Sequence, residues 1–163
     1  MTRSRILTPD QVERKILAES SQISFTELIL PKRVLGNIHR NLYQWWDRPD
    51  AGKFQLVLMP RDHGKSASVA LRAARALTVD PTLRILLISS TSNLATKQLK
   101  FIKDILTSDT YRHYWPDMVE REEAKREKWT EREISVDHPR RKEESIRDPS
   151  IFTAGLTSNI VGL

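Results

Sequence analysis

The stretch Phe54–Ser66 constrains the fold of this chain more than any other. The run Phe54–Met59 is mostly apolar and long enough for one buried strand, and a proline directly after it ends the run. Gly64-Lys65-Ser66 comes four residues after that run, and an alanine-rich helical pattern begins at Ala67. Strand, loop, Gly-Lys-Ser and helix is the order of a phosphate-binding loop. The N-terminus of such a helix attracts an anion, because its backbone N–H groups carry partial positive charge.

The residue types in this loop suit the phosphates of a nucleotide. Lys65 is expected to reach the β- and γ-phosphates, and the hydroxyl of Ser66 is expected to hold Mg²⁺. The first glycine of the consensus loop is missing, because Met59 stands five residues before Gly64. A strand-to-helix turn with a solvent-facing lysine is therefore the alternative, although the predicted strand and helix on either side favour nucleotide binding.

Composition limits the class of protein. With 163 residues, 39% hydrophobic and 29% charged, the chain suits one globular domain with its own core. It has no cysteine, which excludes disulfides and thiolate zinc sites and favours a reducing compartment, so we expect a cytoplasmic protein. No apolar run approaches membrane-spanning length, so no membrane partner is expected. A formal charge of +6 favours a polyanion such as nucleic acid as partner.

Two segments are predicted. Residues 1–50 are expected to form an N-terminal helical segment, with one helix capped by Thr8 and another from Val34 to Trp46. Residues 51–163 are expected to form a partial phosphate-loop domain, in which a helix from about Lys65 to Leu77 follows the loop.

Three further stretches are predicted to be strands of a parallel sheet with flanking helices. Arg84–Ser90 is a near-continuous apolar run, which is typical of a strand buried on both faces. Glu133–Val136 and Ile151–Leu156 are shorter candidates. Ser92 is predicted to cap a helix after the first of these strands. The outward face of that helix, which either contacts DNA or is simply solvated, carries Lys97, Lys100 and Lys103. This α/β pattern predicts a ligand at the C-terminal ends of the strands.

Several of these stretches, in this order, resemble the N-terminal ATPase region of the large terminase subunit, the DNA-packaging motor of tailed phages. Pro60-Arg-Asp-His-Gly-Lys-Ser66 resembles that family's variant phosphate loop, which commonly begins Pro-Arg and often lacks the first glycine. Ile85–Leu106 resembles the next strand and helix, and Ile151–Gly162 resembles the approach to the family's acidic motif. The helix that contains His39 resembles the segment that contacts adenine.

The resemblance implies ATP and Mg²⁺ as cofactors and a phosphate-loop ATPase fold. The residues it places around the nucleotide are Pro60, Arg61, Asp62, His63, Gly64, Lys65 and Ser66, with Ser66 on Mg²⁺ and His39 on the adenine side. Arg61 matches an arginine that is thought to act in cis as an arginine finger, and a purely structural Arg61 is the equal alternative. Asp62 stands where a glycine is often found, and Asp tolerates left-handed backbone better than most residues. His63 is interpreted as a loop residue and not as a catalyst.

The resemblance also implies partners. They are double-stranded DNA, a small terminase subunit and a portal, in the cytoplasm of the host cell. The family's apolar strand that ends in paired acids, and its nuclease domain, have no counterpart in these 163 residues. We therefore expect a truncated or split chain that binds ATP–Mg²⁺ weakly and does not hydrolyse it alone. A complementary chain would carry the rest of the ATPase and the nuclease, and would cover an otherwise exposed sheet edge.

Two other classes of function are left open. Another phosphate-loop enzyme, such as a helicase-like ATPase or a kinase, would use the same loop. A non-enzymatic, basic DNA-binding module would make Gly-Lys-Ser a coincidence. Replacement of Lys65 by alanine separates them, because nucleotide affinity should collapse for either phosphate-loop protein and should not change for the DNA-binding module.

Overall fold

A computed structural model describes residues 6–156, so the parts of the predicted segments in 1–5 and 157–163 lie outside the described residues. The helices are α1 (Pro9–Ser20), α2 (Gln22–Ile29), α3 (Asn37–Asp47), α4 (Lys65–Val79), α5 (Ser92–Thr107), α6 (Asp109–Tyr114) and α7 (Pro139–Glu143). The strands are β1 (Ile85–Ser89), β2 (Glu133–Ile134) and β3 (Ile151–Gly155), and a 3₁₀ turn spans Glu123–Lys125. This mixture of helix and sheet is compatible with the predicted α/β class.

The first helices begin where their capping residues are. The Gln11 N–H donates to the Thr8 hydroxyl, and the Thr8 N–H donates to the Gln11 side chain, which completes a capping box. The predicted helix from Val34 to Trp46 exists as α3, but it begins three residues later than predicted, at Asn37. Gly36 is its N-cap, because the chain after α2 makes a turn before it can become helical.

One core joins the N-terminal helices to the rest of the chain. Phe25 of α2 is fully buried, and its ring lies 6.5 Å from the ring of Tyr111, edge to face, and 5.7 Å from that of Trp115. Leu71 of α4 and Ile102 of α5 are fully buried in the same cluster. Burial of each such side chain contributes roughly 2–3 kcal/mol. The described part of residues 1–50 therefore shares its core with α4, α5 and the sheet.

A second, smaller core fixes α3 against the first turns of α4. Leu35, Tyr43 and Trp46 are buried together, and the last two rings stack with centroids 5.7 Å apart. The Tyr43 hydroxyl lies 2.9 Å from the hydroxyl of Ser68, which is also buried. This contact holds α3 beside the residues that follow the predicted phosphate loop.

The sheet of the described residues has three strands in the order β1-β3-β2. β1 and β3 are parallel, with Ile85 opposite Ile151, as predicted. β2 pairs antiparallel with β3, so the prediction of a wholly parallel sheet is wrong at this strand. The connection from β2 carries the short helix α7 and returns the chain at the end where β2 stopped. It therefore does not cross the sheet as a parallel connection must.

The stretch Phe54–Met59, predicted to be a buried strand, does not form a strand of the sheet. Among the described residues, none pairs with the backbone of residues 54–58. Phe54, Leu56 and Leu58 are 98%, 80% and 83% exposed, whereas Val57 packs against the small core under α3. The prediction is wrong because a strand needs a hydrogen-bonded neighbour and an apolar cover on each face, and neither is present in residues 6–156.

Burial of β1 on both faces was also a wrong prediction. Ile85 and Leu87 pack against the main core, but Leu86 and Ile88 are 44% and 48% exposed on the opposite face. In the described chain β1 is an edge strand, and α5 packs against one face of the sheet. The strand therefore has the alternating burial of a half-covered sheet.

Helix α5 differs from its prediction at its start. Thr91, and not Ser92, is the N-cap, since its hydroxyl accepts a hydrogen bond from the Leu94 N–H. Leu94, in the first turn of α5, is half exposed. Within the predicted lysine face, Lys103 donates to the carbonyl of Thr130, while Lys97 remains exposed.

The charged stretch that follows α6 is mostly loop. Trp129 packs against the main core and holds this loop to the body of the protein. Arg126 lies 4.7 Å from the centroid of its ring, and Lys103 lies 5.4 Å from it. In the described part of the chain, no helix has the length and apolarity needed to cross a membrane.

Candidate phosphate-binding site

Residues 60–64 turn the chain sharply into α4. Asp62 has φ of 60° and Gly64 has φ of 68°, so both lie in the left-handed region. The predicted tolerance of Asp62 for this backbone is confirmed. Glycine populates this region without steric penalty, whereas most other residues are strained there. The loop therefore combines one glycine and one aspartate where its backbone requires left-handed conformations.

Lys65 and Ser66 form the exposed first turn of α4. Gly64 is the N-cap of this helix and supplies no side-chain hydrogen bond to it. The first N–H groups of α4 therefore lack a side-chain cap and carry the positive end of the helix dipole. The Lys65 ammonium donates to the Met59 carbonyl, 2.6 Å away, and so spans the whole loop. Its charge lies beside the uncapped helix terminus.

His39 connects α3 to the loop. Its Nε2 lies 2.8 Å from the carbonyl oxygen of His63, and because a carbonyl only accepts, Nε2 carries the proton. The Nδ1 atom of His39 is buried without a hydrogen-bond partner among the described residues. In turn, Nδ1 of His63 donates to the Arg61 carbonyl, 2.7 Å away. Both contacts hold the backbone of the loop, and they place His39 at its border.

Arg33 is a site residue that the sequence analysis missed. Its guanidinium rests on Gly64, because a methyl group added to Gly64 would overlap Nη2 of Arg33. The same methyl group would lie 3.6 Å from Nε2 of His39. Arg33 lies about 30 residues before the loop, so no motif connects the two. Its position six residues before His39 was the available signal, since His39 itself was assigned to the site.

The structure brings the predicted site residues to one place around the start of α4. Arg61 and Asp62 are exposed, and within residues 6–156 they do not form an ion pair with each other. Ser66, the predicted Mg²⁺ ligand, is exposed, and its carbonyl accepts a hydrogen bond from the side chain of Gln98 on α5. The described residues contain no group of three or more His, Asp or Glu side chains that could hold a metal ion.

A shallow cleft of about 340 Å³ lies elsewhere, beside the C-terminal half of α4. Arg75, which lines it, donates to the Asp47 carboxylate and to the carbonyls of Ala18 and Glu19. Arg72, which also lines it, lies 4.8 Å from the ring centroid of Trp46. The contacts of these two arginines are with the protein itself, so the cleft is a weaker candidate site than the loop.

The loop and its neighbours form a positively charged arrangement that is suited to an anion. An ammonium, a guanidinium and the uncapped end of a helix lie together, and Asp62 is exposed beside them. Comparisons of the chain with protein-family models, with curated proteins and with solved structures gave no match. Function is therefore inferred from the residues of this loop and their surroundings.

Proposed function

We propose that this chain is the nucleotide-binding part of a viral DNA-packaging ATPase of the large-terminase type. One observation carries the proposal. A loop with two left-handed residues delivers Lys65 and Ser66, both exposed, to the uncapped N-terminus of α4. That geometry supports phosphate binding, because N–H groups and the ammonium converge where an anion would lie.

ATP–Mg²⁺ fits the residues at this site. The N–H groups of the first turn of α4 and the Lys65 ammonium would hold the β- and γ-phosphates, and the Ser66 hydroxyl would ligate Mg²⁺. The absence of a Cβ on Gly64 allows the guanidinium of Arg33 to approach the loop backbone closely. When bound, Mg²⁺ and ATP supply a phosphoryl group with a polarised γ-phosphorus. Arg61 is exposed at the rim of the loop, from which its guanidinium can turn toward that phosphate.

Hydrolysis in this proposal needs a second chain. The exposed side chains of Phe54, Leu56 and Leu58, and the open face of β1 at Leu86 and Ile88, would be covered by a strand of that chain. Paired acids at the end of that strand would complete the Mg²⁺ site. Double-stranded DNA, a small terminase subunit and a portal are the further proposed partners, and a net charge of +6 is compatible with DNA.

Binding of ATP to the purified chain tests the proposal. The wild-type chain should bind ATP in the presence of Mg²⁺, and Lys65→Ala should weaken that binding at least tenfold. Lys97→Ala is the matched control, because Lys97 is an exposed lysine of α5 that forms no hydrogen bond or ion pair with the described residues. Sustained hydrolysis of ATP by the chain alone would contradict the need for a second chain.

DNA binding separates the rival function. A basic DNA-binding module would bind duplex DNA with strong salt dependence, and Lys65→Ala would change neither that binding nor any interaction with ATP. A wild-type chain that binds DNA but not ATP would therefore overturn the proposed function. A helicase-like ATPase would bind ATP equally, and its unwinding of a forked duplex in the presence of its partner chain would identify it.

A further inference from the structure

Arg33, like several other arginines of the described chain, has no paired charge. Five arginines form ion pairs with carboxylates: Arg40, Arg48, Arg75, Arg84 and Arg140. Within residues 6–156 the guanidinium of Arg33 has neither an ion pair nor a hydrogen bond. Arg33 is also partly buried. Loss of water around a guanidinium is unfavourable unless another group replaces it.

This guanidinium lies beside two sources of positive charge, with the exposed carboxylate of Asp62 in the same loop. It lies against Gly64, one residue before Lys65 and at the N-terminus of α4. The positive end of the helix dipole and the nearby ammonium both repel a cation. An anion bound between them would turn these repulsions into attractions, because each cation would then face a negative charge. The cluster is therefore arranged for a ligand that carries several negative charges.

The backbone of Arg33 is held in place, so its guanidinium is directed at the loop. Its N–H donates to the Leu30 carbonyl, 2.9 Å away, in the turn between α2 and α3. Two residues later, Leu35 is buried in the small core with Tyr43. His39, on the helix that follows, contacts the loop backbone. The turn is thus fixed by α2 before it and by the small core and the His39 contact after it, which reduces the entropy lost when the guanidinium binds a ligand.

We infer that Arg33 binds the phosphates of the nucleotide together with Lys65. This inference rests on the proposed function and adds to it a residue from outside the loop motif. A planar guanidinium donates two parallel hydrogen bonds to phosphate oxygens, which an ammonium cannot do. The ligand class is a polyphosphate, and the nucleoside is not required for this contact.

Two probes with Mg²⁺ test this inference, ATP and inorganic tripolyphosphate, which has no base or ribose. Arg33→Ala should weaken binding of both probes by about tenfold to a hundredfold, as expected for the loss of a hydrogen bond between charged groups. Arg33→Lys should recover part of that loss, and Arg33→Gln should not. Lys32→Ala is the matched control, since this exposed neighbour has no side-chain partner among the described residues, and it should bind both probes like the wild type.

Salt dependence provides a readout that a structural role would not move. Removal of one phosphate-binding cation should make the affinity for tripolyphosphate less sensitive to salt, and Arg33→Gln should show this change while its thermal unfolding stays like that of the wild type. If Arg33→Gln and Arg33→Ala bind tripolyphosphate as tightly as the wild type, the inference is overturned, whether or not they lose affinity for ATP. A loss confined to ATP would assign Arg33 to the base. If the wild type binds neither probe, the proposed function itself fails.

Discussion

Phe25 and Phe54 are the same residue type in opposite environments. Phe25 is fully buried between α4, α6 and the rings of Tyr111 and Trp115, whereas Phe54 is 98% exposed. The difference extends to their neighbours. Residues around Phe25 belong to helices whose apolar faces are covered, and residues 54–58 have neither covered side chains on one face nor paired backbone groups among the described residues.

This difference separates the helices, whose apolar faces are buried within the chain, from the sheet, which has one exposed apolar face. The helices bury their apolar faces against one another and against one face of the sheet. The other face of β1 and segment 54–59 each expose large apolar side chains, which is typical of a surface that another chain covers. The candidate phosphate-binding loop directly follows segment 54–59, so the proposed ligand and the proposed partner would bind adjacent surfaces.

The largest expected effect comes from truncation of the two phenylalanines. Phe25→Ala should lower the free energy of unfolding by about 3–5 kcal/mol, because it removes a large buried ring and leaves a cavity. Phe54→Ala should change it by no more than about 0.5 kcal/mol, because the ring is already in water. Urea denaturation of both variants measures the difference. An equal loss for Phe54→Ala would mean that segment 54–59 is buried in solution.

The two left-handed loop residues provide the next comparison. Gly64→Ala should destabilise the protein by about 1–2 kcal/mol, because it strains the backbone and its methyl group displaces Arg33. Asp62→Gly should be within about 0.5 kcal/mol of the wild type, because relief of strain at φ of 60° offsets the added freedom of the unfolded chain. Thermal unfolding and ATP titration should both separate these variants. Unchanged ATP affinity in Gly64→Ala would remove this residue from the site.

Alkaline pH should lower the stability of the protein through Tyr111, which is buried in the main core. Burial raises the pKa of the Tyr111 phenol well above its ordinary value of about 10. The Thr78 hydroxyl donates to the Ala74 carbonyl, so the neutral phenol donates to Thr78 over 2.7 Å. Since the unfolded chain releases this proton more easily, stability is full below pH 10 and falls above it.

The size of that loss should be roughly 1 kcal/mol at pH 11. Tyr111→Phe is the control, because it lacks the titrating group and should reduce the difference in stability between pH 9 and pH 11. Denaturant unfolding at the two pH values measures it. An identical pH dependence in the variant would show that other groups cause the alkaline loss.

Local signals predicted the helices well, and they failed where the outcome depends on distant partners. The capping box at Thr8 and the residues after Gly64 define helix starts within a few residues of sequence, so α1 and α4 were placed correctly. The predicted strand at Phe54–Met59 is not formed. An apolar run shows that a segment needs other elements packed on it, but whether such elements are present depends on the rest of the fold. The antiparallel β2 likewise depends on where a long connection returns the chain.

The candidate site was predictable to the same extent. Gly64, Lys65 and Ser66 are adjacent in sequence, and a glycine at this position indicates left-handed backbone. The contact of Arg33 with Gly64 depends on how the turn after α2 packs beside α4, which no spacing within the loop motif reveals. His39 was assigned to the site only through the family resemblance. Its contact with the carbonyl of His63 depends on the packing of α3 and could not be predicted from the sequence.

The smallest expected change in stability tests the uncovered surface most directly. The double variant Leu56→Ser, Leu58→Ser should unfold within about 0.5 kcal/mol of the wild type, because both side chains are at least 80% exposed. It should nevertheless bind less of a hydrophobic dye and self-associate less in sedimentation velocity, because a contiguous apolar surface has been removed. Val34→Ser is the control, since Val34 is 90% exposed but lies outside segment 54–59.

If the double variant lost several kcal/mol, the leucines would be covered within this chain, and the contrast between Phe25 and Phe54 would disappear. If only dye binding and self-association changed, segment 54–59 would be a surface to which another polypeptide binds.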